Sequence, residues 1–388
     1  MPSLSVITIQ SRREKKQFLE LPWRLYQGDE YWIPPLRGNQ KELLNYTPHT
    51  FYEKNEIQTF LALRDGQPCG RIAAIINYGP IERYHDRRGF WGFFECDDDQ
   101  EVAAALFDAV KAWFAERDIV DFRGPMNPSM NYECGLLVDG FDSTPFFMMT
   151  YNKPYYDRLI EACGLRKVQD MYAFWGHVDM LASLDKKLDF VVKEAKTRFG
   201  ISLRPINTRR FKEEVRMFLN IYNASLQGTW GFVPLSEGEI EHMASSMKHL
   251  IVPEMTCVAQ VDAKPIPAPF SLLDYNPRIQ NIDGKLFPTG FARLLWNRRA
   301  IKRMRILSTN VVPEYQHWGV GLVVLNGVLP AVLDWGLEEG EFSWVLESNH
   351  LSYSTLKRGG AKITKTYRFY DYGPNEDPTL EKFRSVAK

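Results

Sequence analysis

The residues with the clearest chemical potential lie in segment 311–322, where a β-branched strand gives way to an apolar helix. Pro313 ends the strand, and Gln316, Gly319 and Gly321 precede the helix. Glycine has no Cβ, so its backbone can approach a ligand closely. The free N–H groups of a first helical turn attract negative charge. The segment therefore predicts a diphosphate site built from backbone rather than from Lys or Arg.

Other glycine-rich phosphate sites fit this segment less well. A dinucleotide fingerprint requires a third glycine three residues after the second, and Val324 stands at that position. A phosphate loop that ends in Gly-Lys-Ser or Gly-Lys-Thr is absent from the sequence. The alternative that stays open is a strand-to-helix turn that contains glycine and binds nothing.

A candidate general base follows the next strand, which is predicted over residues 342–347. Glu347 ends that strand beside the glycine segment. Burial there would raise the pKa of its carboxyl group and suit it to deprotonate an amine. The alternative is an ordinary exposed carboxylate at a strand end. The same two interpretations apply to Glu314 and His350.

A second candidate segment is the polar loop that runs from residue 124 to residue 151. Asn127, Asn131, Glu133 and Tyr151 in this loop are predicted to bind the acceptor substrate, because long loops in compact domains are often functional. The alternative is a cluster of Asn and Pro turns whose side chains cap their own backbone. Cys134 is expected to be a buried small residue, since no histidine lies near it in sequence.

The elements that must position these residues are arranged as a duplication. An amphipathic stretch and a Trp/Pro turn end at Leu36 and again at Leu235, 199 residues later. Further landmarks recur after 195–197 residues. These later pairs are Asn152 with Asn349, Gly164 with Gly360, and Phe174 with Phe369.

Each half has the order helix, hairpin, strand, helix, strand, helix, strand. This order predicts an α/β fold with a mixed sheet and helices on both faces. We therefore expect one domain over residues 1–180, a linker helix over 181–199 and a second domain over 200–388. In the first half the hairpin turns at Asp65 and Gly66, and in the second it turns around residues 262–264.

Composition narrows the class of protein. The 388 residues contain 48 Lys+Arg and 48 Asp+Glu, so the formal net charge is zero and nucleic acid is not an expected partner. Five cysteines without a CxxC pair favour reduced thiols, a cytoplasmic location and no metal site. Aromatic residues make up 13% of the chain, which suits either two filled cores or an apolar substrate channel.

The glycine segment resembles a known family. Gln316-x-x-Gly319-x-Gly321 after a strand is similar to the acyl-CoA loop of the GNAT superfamily, and Asn349 and Gly360 also match its pattern. The resemblance implies acyl-CoA, or a phosphopantetheine carrier, as the donor, with its pyrophosphate on residues 318–322 and Asn349 on the pantetheine arm. The implied donor-binding residues are Val311, Val312, Gln316, Trp318, Gly319, Val320, Gly321, Leu322 and Asn349.

The chain departs from the family pattern at two places. Many GNAT enzymes carry a tyrosine seven residues after the asparagine as the general acid, but this chain has Leu356 there. Tyr353, one turn earlier, is either the substitute acid or a packed aromatic residue. In the first half, Asp97, Asp98 and Asp99 stand where the phosphate loop would be. Aspartates suit a helix N-cap and repel a diphosphate, so only the second half is expected to bind the donor.

We therefore expect a tandem GNAT-like N-acyltransferase with a small-molecule or lipid amine as acceptor. The alternatives are a CoA-binding module without turnover and a peptidyltransferase that resembles the Fem enzymes. The whole chain also resembles a group of bacterial two-domain acyltransferases that includes proposed bacterial ceramide synthases. The basic run of residues 293–305 is interpreted as a solvated helix face. The alternatives are a site for the nucleotide 3′-phosphate of the donor and a surface for an acyl carrier protein or a peripheral membrane contact.

Overall fold

The computed structural model describes residues 3–183, 185–262, 264–311, 313–315 and 319–374. The fold is a mixed α/β fold, as the sequence predicts. The first half contains β1 (Leu4–Thr8), α1 (Arg12–Leu25), α2 (Arg37–Leu43), β2 (Glu56–Arg64), β3 (Gln67–Ile76), α3 (Tyr78–Tyr84), β4 (Gly89–Cys96), α4 (Gln100–Ala115), β5 (Phe122–Gly124), β6 (Met126–Asn127), β7 (Glu133–Cys134), β8 (Leu136–Asp139), α5 (Tyr156–Ala162) and β9 (Arg166–His177).

Helix α6 (Asp185–Phe199) follows, close to the linker helix that the sequence predicts. The second half then contains β10 (Ser202–Pro205), α7 (Phe211–Ser225), α8 (Glu237–Met247), β11 (Cys257–Val261), β12 (Lys264–Pro265), β13 (Pro267–Leu273), α9 (Asn276–Asn281), α10 (Gly290–Leu295), β14 (Arg303–Val311), α11 (Val320–Trp335), β15 (Glu339–Leu346), α12 (His350–Arg358) and β16 (Lys362–Tyr372).

The chain packs as two compact units that are not continuous in sequence. The first unit draws on Met1–Met171, Asn276–Leu294 and Lys365–Lys388, and the second on Tyr172–Tyr275 and Leu295–Thr364. The last strand of each sequence half is therefore divided between the units. The predicted domain ranges 1–180, 181–199 and 200–388 describe the repeat in the sequence and stay a prediction. The boundaries of the two compact units differ from those ranges.

In the first unit, β1, β2, β3 and β4 are successively antiparallel and β5 pairs parallel with β4. Strand β16 pairs antiparallel with β5 and with β8. Helix α4 covers this sheet with an apolar face that is fully buried. The buried residues of that face are Val102, Ala103, Leu106, Phe107, Val110 and Phe114.

In the second unit, β14 pairs antiparallel with β13 and parallel with β15. Strands β10, β11 and β12 form a separate small sheet. The predicted hairpin around residues 262–264 is therefore present between β11 and β12, but the chain leaves it at once for β13. Pro265, Pro267 and Pro269 explain the short ladder, because proline has no N–H to donate.

Local details of the two halves repeat. β4 bulges at Phe93, its fifth residue, and β14 bulges at Leu307, also its fifth residue. Gly164 after α5 and Gly360 after α12 have φ of 86° and 84°, the left-handed conformation that ends helices. The glycine pair that matched in sequence therefore takes the same conformation in both halves.

Two sequence interpretations differ from the structure. A strand, not a helix, comes first in each half, because the short runs in β1 and β10 pair with β2 and β11. The basic run 293–305 is not one solvated helix face. It divides into the end of α10, a single 3-10 turn at Arg298–Ala300 and the start of β14. Arg305 is buried there and donates to the hydroxyl and the carbonyl of Ser343.

Candidate functional site

Helix α11 begins after Gly319, which is its N-cap residue. Gly319 has φ of 68°, and its carbonyl accepts from the N–H groups of Leu322 and Val323. No side chain among the described residues caps this end. The N–H groups of Val320 and Gly321 thus belong to the first turn, which in any α-helix lacks carbonyl partners within the helix.

Different features of the structure explain why glycine stands at positions 319 and 321. The left-handed φ at position 319 favours glycine whatever the surrounding space. At position 321, an added Cβ would meet no described atom within 4 Å, and φ is not left-handed. Packing within the described residues therefore does not require glycine at position 321, although a ligand that approaches the backbone would.

The strand that leads to this helix separates from its parallel neighbour. The ladder between β14 and β15 runs from Arg303↔Glu339 to Ile306↔Phe342 in the described residues. β14 continues to Val311 and β15 continues to Leu346 beyond the last described pair. The carboxyl-terminal halves of two adjacent parallel strands therefore lead separately into the starts of α11 and α12.

The position of α11 is fixed by its buried face. Val320, Val323 and Val324 are almost fully buried in an apolar cluster of the second unit. Val328 of the same helix also belongs to this cluster, and the members from α6, β11 and the residues around them include Val192, Ala195, Ile201, Cys257, Ala259 and Ile266. Apolar burial thus holds the helix while its first turn stays partly exposed.

The second helix start carries three residues that the sequence singled out. Asn349 is the N-cap of α12, and its side-chain oxygen accepts from the N–H of Ser352 at 3.1 Å. Glu347 is half-buried directly after β15. The ring of Tyr353 packs edge-on against the rings of Tyr172 and Phe174, each at 5.4 Å between centroids. The packed-aromatic interpretation of Tyr353 therefore has a clear geometric basis.

Of the remaining residues that are predicted to bind the donor, two lie in described elements and three do not. Val311 ends β14 opposite Pro267, and Leu322 is half-buried in the first turn of α11. Val312, Gln316 and Trp318 lie outside the described residues. Their roles stay predictions.

The corresponding helix of the first unit starts differently. The Asp99 carboxylate caps α4 by accepting from the N–H groups of Glu101 at 2.9 Å and Val102 at 3.4 Å. The Arg64 guanidinium lies 2.7 Å from the same carboxylate. The N-cap role that the sequence predicts for this aspartate cluster is confirmed, and a carboxylate occupies the place that is uncapped in α11.

A buried polar cluster, which the sequence analysis did not predict, closes the end of β4. The hydroxyls of Tyr26 and Tyr156 each donate to Glu95 Oε2 at 2.8 Å, and Arg71 Nη2 lies 3.6 Å from Oε1. Burial raises the pKa of the Glu95 carboxyl, against the lowering effects of Arg71 and the two hydroxyls. In the sequence, the only sign of this cluster is that two charged residues, Arg71 and Glu95, lie within runs that are otherwise apolar.

The backbone at the end of β4 is also satisfied by tyrosines. The N–H of Cys96 donates to the hydroxyl of Tyr156 at 2.9 Å, and the hydroxyl of Tyr155 donates to the Cys96 carbonyl at 2.8 Å. In the first unit, protein side chains therefore take the hydrogen bonds of both the strand end and the helix start.

The predicted acceptor-binding residues do not form one group. Asn127 and Glu133 pair across the short ribbon of β6 and β7, and Asn127 Oδ1 accepts from the N–H of Phe93 at the bulge. Tyr151 instead donates to Asp29 Oδ1 at 3.2 Å. Asn131 lies in the turn between β6 and β7, where its N–H donates to Ser129 Oγ. These contacts stabilise the loop, and a substrate role stays a prediction.

Comparison with known proteins decides the family. No protein-family model matches the chain. It is 34% identical over 379 residues to "Protein YghO" of Escherichia coli, with 94% of each chain covered. It is 32% identical over 377 residues to "Bacterial ceramide synthase" of Caulobacter vibrioides, with 95% of this chain and 97% of that protein covered. The chain belongs to their family.

The fold of this chain also has solved counterparts. A "Tandem GNAT protein from the clavulanic acid biosynthesis pathway" superimposes with a TM-score of 0.56 over 96% of this chain and all of that chain, at 11% identity. The tandem GNAT fold that the sequence predicts is confirmed. Such low identity speaks to the fold alone.

Among the described residues, no three His, Cys, Asp or Glu side chains are grouped as metal ligands. No described helix has the length and hydropathy that crossing a membrane requires.

Proposed function

We propose that this chain is an N-acyltransferase that moves an acyl group from a CoA or phosphopantetheine thioester to an amine. The donor is held at the start of α11. The observation that carries the proposal is the contrast between two equivalent helix starts. Asp99 caps α4, whereas α11 begins at a left-handed glycine with open space at Gly321.

The donor pyrophosphate fits the first turn of α11 for electrostatic reasons. Backbone N–H groups and the helix dipole favour an anion there, and glycine at position 321 permits close approach. Residues 316–318 complete the loop that the family pattern assigns to the pyrophosphate. Asn349 uses its side-chain oxygen as a helix cap, so its amide N–H₂ is the group we assign to the pantetheine arm.

The reaction requires little covalent chemistry from the protein. The amine nitrogen attacks the thioester carbonyl carbon, the C–N bond forms, the C–S bond breaks, and the thiolate receives a proton. A backbone N–H near Val311 would polarise the carbonyl, and Glu347 would remove the amine proton. Tyr353 is the candidate acid for the thiolate, in competition with its packing role against Tyr172 and Phe174.

We assign a long-chain, sphingoid-like amine as the acceptor class. The support is family membership together with a relative that bears the name "Bacterial ceramide synthase", since a ceramide is an N-acylated sphingoid base. An apolar acyl chain also suits the aromatic composition of the chain. Acetyl-CoA with a small polar amine is the competing pair.

Turnover with a series of donors tests the proposal. Purified protein is given acetyl-, octanoyl- or palmitoyl-CoA with a sphingoid base, and free thiol and acylated amine are measured together. Each buried methylene should improve kcat/KM by up to about fourfold, because it contributes up to about 0.8 kcal/mol. A maximum with acetyl-CoA would contradict the long-chain assignment and leave the acyltransferase assignment intact.

The donor site itself is tested by a pair of glycine variants. Gly321→Val should abolish CoA binding in calorimetry, because a branched side chain would stand over the N–H groups of the first turn. Gly38→Val is the matched control, since Gly38 is also the second residue of a helix and also has open space around its Cβ position. Equal CoA affinity of wild type and Gly321→Val would refute the donor site.

A second candidate function is a CoA-binding module without turnover. Leu356 at the usual acid position and the packed ring of Tyr353 favour it. Binding of acyl-CoA with no thiol release across a panel of amines would support the module and exclude the enzyme.

A further inference from the structure

An aromatic loop, which we define as residues 285–293, exposes large apolar side chains. Phe287 is 89% exposed and Phe291 is 44% exposed. Phe287 is the most exposed large hydrophobic residue of the described chain. Such exposure of two aromatic residues in one short segment is characteristic of an interaction surface.

The base of the loop is firmly anchored within the first unit. Asp283 accepts from the Trp23 indole and pairs with Arg37 at 3.0 Å. The N–H of Arg37 donates to the Gly284 carbonyl at 3.0 Å. At the other end Leu294 is buried, and its carbonyl accepts from Arg278 at 3.0 Å.

A glycine closes the loop between these anchors. A Cβ on Gly290 would lie 1.8 Å from the carbonyl oxygen of Lys285, so only glycine permits this approach. The N–H of Phe291 also donates to the Leu286 carbonyl at 2.8 Å. Phe287 therefore stands on a closed, hydrogen-bonded loop rather than on a loose segment.

The loop lies in a stretch of chain with only positive charge. Seven Lys and Arg residues and no Asp or Glu occur between Asp283 and Glu314. Lys285, Arg299 and Lys302 have carboxylate partners at 3.0–3.7 Å, whereas Arg293 forms no ion pair with the described residues. Arg293 is exposed beside Phe291 in sequence.

We infer that the aromatic loop docks the protein on the surface of an anionic lipid bilayer. Aromatic rings partition favourably into the bilayer interface, and nearby Lys and Arg are attracted to anionic headgroups. A second copy of the chain would bring the same positive charge and is disfavoured. The inference goes beyond the proposed function and does not rest on it, because lipid binding requires no acyl donor.

Vesicle co-sedimentation of the full-length protein tests the inference. The probes are phosphatidylcholine vesicles with and without phosphatidylglycerol. We expect binding to the anionic vesicles that weakens as salt is raised. Phe287→Ser should weaken it about tenfold through lost interfacial burial, and Arg293→Gln about fivefold through lost attraction.

Matched control variants separate docking through the aromatic loop from nonspecific adsorption to vesicles. Phe190 in α6 is 67% exposed and lies outside the loop, so Phe190→Ser should leave vesicle binding unchanged. Arg13→Gln is the corresponding control for charge, and thermal unfolding verifies that the variants keep the fold. Absence of binding to anionic vesicles at low salt would overturn the inference, as would equal losses in Phe190→Ser and Phe287→Ser. Retention of the wild type, but not of Arg293→Gln, on an immobilised acidic acyl carrier protein without vesicle binding would reassign the loop to protein docking.

Discussion

Single side chains distinguish the helix start of α4 in the first unit from that of α11 in the second. Asp99 takes the helix-start N–H groups of the first unit, and Tyr156 takes the strand-end N–H of Cys96. An acyl donor bound at this place would need the same backbone N–H groups as hydrogen-bond donors. In the second unit, Gly319 stands at the helix start and contributes no side chain. Under the proposed function, the aspartate cap and the strand-end tyrosines together close the first site, whereas the glycine leaves the helix start of the second site open.

The buried ion pair beneath the closed site makes a first prediction. Arg71 is 5% exposed and lies beside Glu95, so removing either charge leaves the other buried without its counter-charge. Glu95→Gln and Arg71→Met should each lower the free energy of unfolding by about 3–5 kcal/mol. The double variant should lose clearly less than the sum, as measured by urea denaturation. Simple additivity of the two losses would mean that the charges do not interact.

The buried cysteines predict how stability depends on alkaline pH. Burial raises the pKa of Cys69 and of Cys257 to about 11, and it also raises the pKa of Cys96 and Cys163. In the unfolded chain a thiol ionises near pH 8.5. Above that pH the unfolded state loses protons that the folded state keeps, so the free energy of unfolding should fall as pH rises from 8.5 towards 11. Urea melts across this range provide the measurement, and the slope should flatten in a Cys69→Ala/Cys257→Ala variant.

At the scale of the element, we predict that the start of α4 has a structural role and does not bind the donor. Asp99→Ala should lower the free energy of unfolding by about 1 kcal/mol, because the helix loses its cap. CoA affinity should stay unchanged, because Tyr155 and Tyr156 still occupy the end of β4. Asp98→Ala is the control, since Asp98 is exposed and its ion-pair partner among the described residues is the surface residue Arg158. New CoA binding in Asp99→Ala would show that the cap alone closes the first site.

Elements with strong local signals could be predicted from the sequence. The turn at Asp65 and Gly66, with φ of 50° and 77°, and the cap at Asp99 follow from residue types alone. The basic run 293–305 could not be predicted, because its strand portion is set by pairing of β14 with β13 and β15. Such pairing depends on residues far away in sequence, and a charge pattern carries no information about it. The same holds for the candidate site. The glycines before α11 and a packed-aromatic interpretation of Tyr353 came from the sequence, whereas Tyr172 as the packing partner of Tyr353 could not be predicted, because it lies far away in sequence.

At the scale of the whole molecule, the duplication does not produce two independent chain segments. Part of β16, from the end of the second half, belongs to the first unit and pairs with β5. Asp371 in this strand lies between Arg123, at 2.7 Å, and Arg88, and all three side chains are buried. A carboxylate that neutralises two buried guanidinium groups cannot be removed without a large loss of stability.

This arrangement predicts that the first half alone will not fold. A fragment of residues 1–200 lacks β16, and with it Tyr367, Phe369 and Tyr370, which are fully buried in the intact protein. Burial of each large side chain contributes about 1.5–3 kcal/mol, so the loss is comparable to the whole stability of a typical domain. Arg88 and Arg123 would also lose Asp371. We expect the fragment to lack a cooperative thermal transition, and a version with residues 362–374 attached through a flexible linker to regain one. The control is the same fragment with a linked Asp371→Ala strand, which should regain less. A cooperative transition in the fragment without a linked strand, at the temperature of the full chain, would show that the first half folds without β16.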